Sequence, residues 1–260
     1  TLAHGGPLAR TVLDAALLLS VISGLDDRDP FSVAGPVPDY LGACDQPVEG
    51  LRIAWSRTLG YARPDPEIAD IAQRAAQRFS EMGCEVVEVD RVLAQDPIDL
   101  WASEFYAGVG VRLKQPLIEQ RELLDPAVAD IVGRALEQST ETYCTCVFQR
   151  YELRETMRRF FERFDLLLTP TLPCAAFDVG LNTPPQWPDR NVISWVYYTY
   201  PFNLTGQPAA SVPAGWTRAG LPVGLQMVSR PHRETDIFRA AAALERCQPW
   251  ADRRPNVTLI

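Results

Sequence analysis

The chain has 260 residues, 47% of them hydrophobic and 22% charged, the composition of a folded globular protein. A net charge of −8 without a basic cluster argues against a nucleic-acid backbone as partner, and no apolar run reaches the length of a membrane span. Six cysteines with no Cys-x-x-Cys pair, two histidines and no signal-peptide pattern predict a cytoplasmic protein without a disulfide framework, metal site or cofactor. Residues 12–22, after a Gly5-Gly6-Pro7 turn, read as a helix that is apolar almost all round. Such a helix needs protein on every side, and nothing upstream in this chain is there to supply it. Residues 51–90 read as strand, helix, strand. Asp65 caps the helix, Pro66 takes its first position, and Ile68, Ile71, Ala72, Ala75, Phe79 and Met82 recur at helical spacing before Gly83 ends it. This βαβ pattern predicts two parallel strands. Residues 97–164 read as helical, with segments near 97–113, 126–138 and 141–163, and Glu155 and Arg159 spaced to pair. Residues 165–169 form an unbroken apolar run, as in a strand buried on both faces. A proline-rich loop over 171–190, a hairpin of 208–214 and 222–229 around Gly220, and a helix over 233–247 complete the chain. The expected class is α/β: a mixed, largely parallel sheet flanked by helices on both faces.

Four ordered segments then carry a resemblance. They are Gly6-Pro7-Leu8-Ala9-Arg10-Thr11 with Asp14; Phe164 to Thr171; Pro201-Phe202-Asn203-Leu204-Thr205-Gly206-Gln207-Pro208 running on to Ser211-Val212-Pro213; and Gly220 to Gln226. With the ending Pro249-Trp250 and Arg253-Arg254-Pro255, they resemble the amidase signature family of amide hydrolases. The resemblance implies a large mixed sheet covered by helices and cleavage of a carboxylic amide through an acyl-serine intermediate. It also implies a Ser-Ser-Lys triad whose nucleophile lies in a Gly-Gly-Ser-Ser-Gly-Gly type stretch upstream of the Gly-Pro-x-Ala-Arg motif. This chain has no such stretch, and its one lysine, Lys114, stands beside Arg112 and before Pro116, a setting for a solvated side chain. A serine nucleophile needs an adjacent base, and lysine serves only when burial lowers its pKa. Residues 1–260 therefore read as the C-terminal portion of one amidase signature domain, with 97–164 as a variable substrate-entrance region and no catalytic residue of its own. The first helix then awaits the missing N-terminal portion, a second chain, or a homodimer partner.

Tyr198, Thr199, Asn203, Thr169 and Thr171 are the substrate-binding candidates. Thr169 and Thr171 flank Pro170 at a strand end, where α/β sites tend to lie. Tyr197, Tyr198, Thr199 and Tyr200 form an aromatic run that suits either an amide pocket or the core. Asn203, read as part of a loop, suits a tie between backbone segments or a substrate contact. Val196 stands where the family's glutamine-dependent tRNA amidotransferases carry an Asp, which favours an apolar amide. Arg10 suits a pair with Asp14 or a pocket cation, and Gln226, inside an apolar strand, must find buried partners. Two other functions fit the sequence: a non-catalytic chain that docks through its first helix, and a hydrolase using Thr1 as an N-terminal nucleophile.

Overall fold

A computed structural model describes residues 2–254. Thr1, and with it the N-terminal nucleophile reading, lies outside the described residues, as does Pro255. In chain order the elements are α1 (Val12–Ile22), α2 (Tyr40–Cys44), β1 (Arg52–Trp55), α3 (Pro66–Glu81), β2 (Glu85–Glu88), α4 (Ile98–Glu119), α5 (Pro126–Glu137), α6 (Thr140–Phe160), β3 (Leu166–Pro170), α7 (Tyr200–Thr205), β4 (Ala209–Trp216), β5 (Pro222–Ser229) and α8 (Glu234–Cys247).

The five strands form one sheet in the order β2-β1-β3-β5-β4. β1 pairs in parallel with β2 and with β3, while β5 pairs antiparallel with β3 and β4. The sheet is mixed, as expected, but not mostly parallel, because the β4–β5 hairpin adds antiparallel pairings on the far side of β3. Alternation of side chains sends Ile53, Trp55, Leu166, Leu168, Leu225 and Met227 to a first face, packed by α3 and α8. Ala54, Leu167 and Val228 point to the second face, covered by Met157 and Phe161 at the end of α6 and by Tyr197, Tyr198 and Phe202. A third cluster joins Trp101 and Tyr106 of α4 and Val132 of α5 to Tyr200, Leu204 and Leu2.

Local chemistry explains the helix ends. Asp65 accepts from the Glu67 N–H at 2.8 Å, and Gly83 leaves α3 at φ +84°, a conformation that favours glycine. Thr11 caps α1, accepting from the Asp14 N–H at 3.1 Å and donating to its carboxylate at 2.7 Å. Asp14 is thereby taken by Thr11, and Arg10 instead donates to the Ala251 carbonyl. Two expectations are corrected. The first helical segment, expected near 97–113, runs on through Pro116 to Glu119. Asn203 lies in helix α7, started by Pro201 and closed by Gly206 at φ +79°, rather than in a loop.

Candidate functional site

β1 and β3 lie side by side, and the chain leaves β1 through α3 to β2 on the opposite side, a topology in which sites tend to lie outside the carboxyl ends of the strands. The segment leading into α7 lies across that end. Tyr198 donates its hydroxyl to the Arg57 carbonyl just past β1 at 2.6 Å, and Tyr61 donates to the Tyr197 carbonyl at 2.6 Å. Gln226 of β5 completes the tie, donating to the Tyr198 carbonyl at 2.8 Å and to the Thr169 hydroxyl at 3.0 Å. Thr169 passes its own proton to the Pro170 carbonyl at 2.8 Å. The buried amide expected of Gln226 is thus satisfied, and it locks strand β3 to the tyrosine segment.

Tyr197, Tyr198 and Tyr200 of the aromatic run are fully buried. Burial pushes the Tyr198 and Tyr200 hydroxyls far above the ordinary phenol range, so both remain donors. Tyr200 donates to Asp96 at 2.5 Å, and Asp96 also accepts from Arg190 at 2.9 Å, whose guanidinium lies 4.7 Å from the Tyr197 ring. Arg150 of α6 donates to the Leu204 carbonyl at the end of α7 at 2.6 Å and pairs with Glu104 of α4 at 2.8 Å, both side chains being largely buried.

The five substrate-binding candidates divide. Thr169 and Tyr198 are enclosed, and their polar atoms are engaged within the chain. Thr171, Thr199 and Asn203 are half-buried. Thr199 donates to the Val196 carbonyl at 3.2 Å. Asn203 donates to the Leu2 carbonyl at 2.9 Å and lies 3.2 Å from His4 Nδ1, so it ties α7 to the first residues. Thr171 meets Ser211 of β4, hydroxyl to hydroxyl, at 2.7 Å. Gln226 brings Thr169 and Tyr198 together; Asn203 and Thr171 bond to other parts of the chain. Arg150 was not singled out in the sequence, because its partners, Glu104 and the Leu204 carbonyl, are remote from it along the chain.

Lys114 is exposed on α4. A cavity of about 560 Å³ lies at the start of α3 and the end of β4, lined by Asp65, Glu67, Asp70, Arg74, Trp216 and Arg218 among others, and none of the five candidates lines it. No group of three His, Cys, Asp or Glu residues placed to hold a metal occurs among the described residues. Nor is any described helix long and apolar enough to cross a membrane.

Known proteins resemble this arrangement. The family profile described as Amidase matches residues 1–238. An acylamidase of Rhodococcus erythropolis is 32% identical over 99% of this chain and 55% of its own length. An amidase of Pseudomonas putida is 31% identical over 99% of this chain and 56% of its own. Among solved structures, a bacterial aryl acylamidase of the amidase signature family superposes with a TM-score of 0.85 at 31% identity, covering 96% of this chain and 55% of that one. The chain spans about half the length of the relatives it matches.

Proposed function

This chain belongs to the amidase family, and on that premise we propose that it supplies one wall of an amide-hydrolase site whose nucleophile and base lie in the portion the relatives have and this chain does not span. In the assembled protein a serine Oγ attacks the amide carbon, the C–N bond breaks, and the amine leaves with a proton. Water then releases the acid from the acyl-serine. The observation that carries this reading is the placement of Lys114. The only lysine is exposed on α4, whereas the polar side chains at the strand ends are hydroxyls, the Gln226 amide, and arginines and carboxylates paired with one another. Nothing in that wall is an activated base of the kind a serine needs.

Thr171, Thr199 and Asn203 are the side chains open to a substrate, with Thr169 and Tyr198 holding the wall behind them. Val196, half-buried beside Thr199, favours an amide with an apolar acyl or amine part over glutamine. The helices of 97–164 shape the entrance to a single domain of which residues 1–260 are the C-terminal portion. Cysteines free of disulfides suit a cytoplasmic location.

The test is direct. Purified chain incubated with acetanilides and with short aliphatic amides turns over none of them, whereas the chain fused behind the unmatched portion of the Rhodococcus acylamidase does. Turnover by the isolated chain overturns the reading. A second reading, a non-catalytic docking chain, is favoured by the bare outer side of α1, where Leu13, Leu17, Val21 and Ile22 are exposed. A stable but inactive fusion supports it.

A further inference from the structure

Helix α6 is covered along one side. Met157 is buried there, and Arg150 reaches from that side to α7 and α4. On the opposite side Glu141, Cys144, Phe148, Tyr151, Glu155 and Arg158 recur at alternating steps of three and four residues, so they form one line along the helix. The middle of that line is aromatic and bare: Phe148 is 65% exposed and Tyr151 60%. Single apolar side chains on a surface are ordinary, but two rings one turn apart on the outer line of a long helix form a patch.

The two ends of the line differ in sign. Glu141, in the first turn, enters no ion pair among the described residues. Arg158, in the last turn, shares Glu155 with Arg159 and also reaches Glu162 at 2.6 Å. Arg154, one turn before Arg158, adds a cation with no ion pair among the described residues, so this end keeps an excess of positive charge.

We propose that this line seats a second copy of the same chain, bound antiparallel through α6 about a two-fold axis that passes between Phe148 and Tyr151. The occupant follows from the order of residues along the line. Turned end for end upon itself, the line sets Phe148 against the partner's Tyr151, Cys144 against the partner's Glu155 and Glu141 against the partner's Arg158. The two-fold axis makes each of these pairings occur twice. A parallel pair would instead set Glu141 against the partner's Glu141 and Arg158 against the partner's Arg158. Charge therefore selects the antiparallel arrangement, and the two helix dipoles favour it as well. Four rings meet at the centre, where aromatic side chains contribute most to an interface, and the charged ends form a rim that stays wet. The inference needs only α6 and does not rest on the amidase reading.

Sedimentation velocity of the full chain over a range of concentrations tests this, with melting temperatures recorded alongside. A reversible dimer is expected. Phe148→Asp puts a carboxylate among the rings and should weaken it about tenfold or more, a loss of about 1.4 kcal/mol. Glu141→Arg and Arg158→Glu each set like charges face to face and should weaken it about fivefold. The double variant Glu141→Arg/Arg158→Glu exchanges the two signs and should recover most of that loss. All three positions are exposed, so the melting temperature should move by no more than about 3 °C. A monomer at every concentration, a dimer indifferent to Phe148→Asp, or a double variant no better than the single ones overturns the inference. Leu17→Ser should reduce association beyond the dimer and leave the dimer itself; a dimer lost with Leu17→Ser lies on α1 and also overturns it. The chain fused behind the unmatched portion of the Rhodococcus acylamidase should dimerise in the same way. A monomeric fusion overturns the inference, and the fusion's amide turnover reads the amidase proposal separately, so either can fail alone.

Discussion

Helices α3 and α1 lie on the same side of one sheet and finish in opposite surfaces. On α3, Ile68, Ile71, Ala72, Ala75 and Phe79 are buried, and the outward positions are charged or amide side chains such as Asp70, Arg74 and Gln77. α1 is capped as well as α3, yet only Val12 and Ala16 are buried, while Leu17 is 52% and Val21 73% exposed. Full burial of such a side chain is worth about 1.5–3 kcal/mol, so the bare side of α1 represents stabilisation not yet realised. Periodicity tells which side of a helix faces inward. Apolarity all round gives a helix no outward side, and it is this second signal that corresponds to the exposed leucines and valine of α1.

The largest expected effects lie at the buried end of this comparison. Phe79→Ala removes a fully buried ring from between α3 and the sheet and should cost about 3–5 kcal/mol in urea unfolding. Leu17→Ser in the same assay should stay within about 0.5 kcal/mol, and should reduce self-association of the isolated chain. Equal costs for the two would break the comparison, because α1 would then be as covered as α3. The second face has a counterpart in charge. Glu104→Ala strands the largely buried Arg150 and should cost about 3 kcal/mol or more, while adding Arg150→Met to it should recover much of the loss. Additive costs in that double-mutant cycle would mean that the pair does not join α4 to α6.

A smaller effect belongs to the tyrosine tie. Tyr198→Phe leaves the Arg57 carbonyl without its donor and should cost about 1–3 kcal/mol in the same unfolding assay. Its neighbour Thr199, half-buried and bonded only locally, should tolerate Thr199→Val within about 1 kcal/mol. A reversal of that order would place the strain of the wall at Thr199 and not at the carboxyl end of β1.

Much of this was legible from residues alone, and the reason is locality. Asp65, Pro66 and Gly83 mark both ends of α3 within its own sequence, Gly220 marks the hairpin turn at φ +80°, and Glu155 and Arg159 are neighbours on one helix. α7 escaped because six residues are too few to show a period, although Pro201 at its first turn and Gly206 past its end are the punctuation of a helix. The wall itself was only half legible. Threonines at the end of β3 are conspicuous, but whether they face a ligand depends on Gln226, which reaches Thr169 across 57 residues and Tyr198 across 28. Asn203 finds its partner 201 residues away. No periodicity encodes such pairings; they exist only once the sheet register is set.

The smallest expected effect separates α1 from a helix surface made for water. On α6, Glu155 accepts from Arg158 at 2.7 Å and Arg159 at 2.8 Å, and these bonds hold its carboxyl at about 2 against an ordinary 4.5. The folded value lies below the unfolded one, so whatever stability the cluster contributes is present above about 4.5 and is lost as pH falls through about 2. The side chains are exposed and screened, so the contribution is small, and the carboxyl resonance is the better readout. An NMR titration should place its midpoint near 2 at low ionic strength and move it toward 4.5 in about 1 M salt, where the screening length shrinks to about 3 Å. The stability difference between Leu17→Ser and the unmodified chain should be the same at both salt concentrations and across that pH range, because an apolar surface does not titrate. A salt- or acid-dependent Leu17→Ser effect would show α1 to be held by charge, and its bare side would lose its meaning as a seat for another polypeptide.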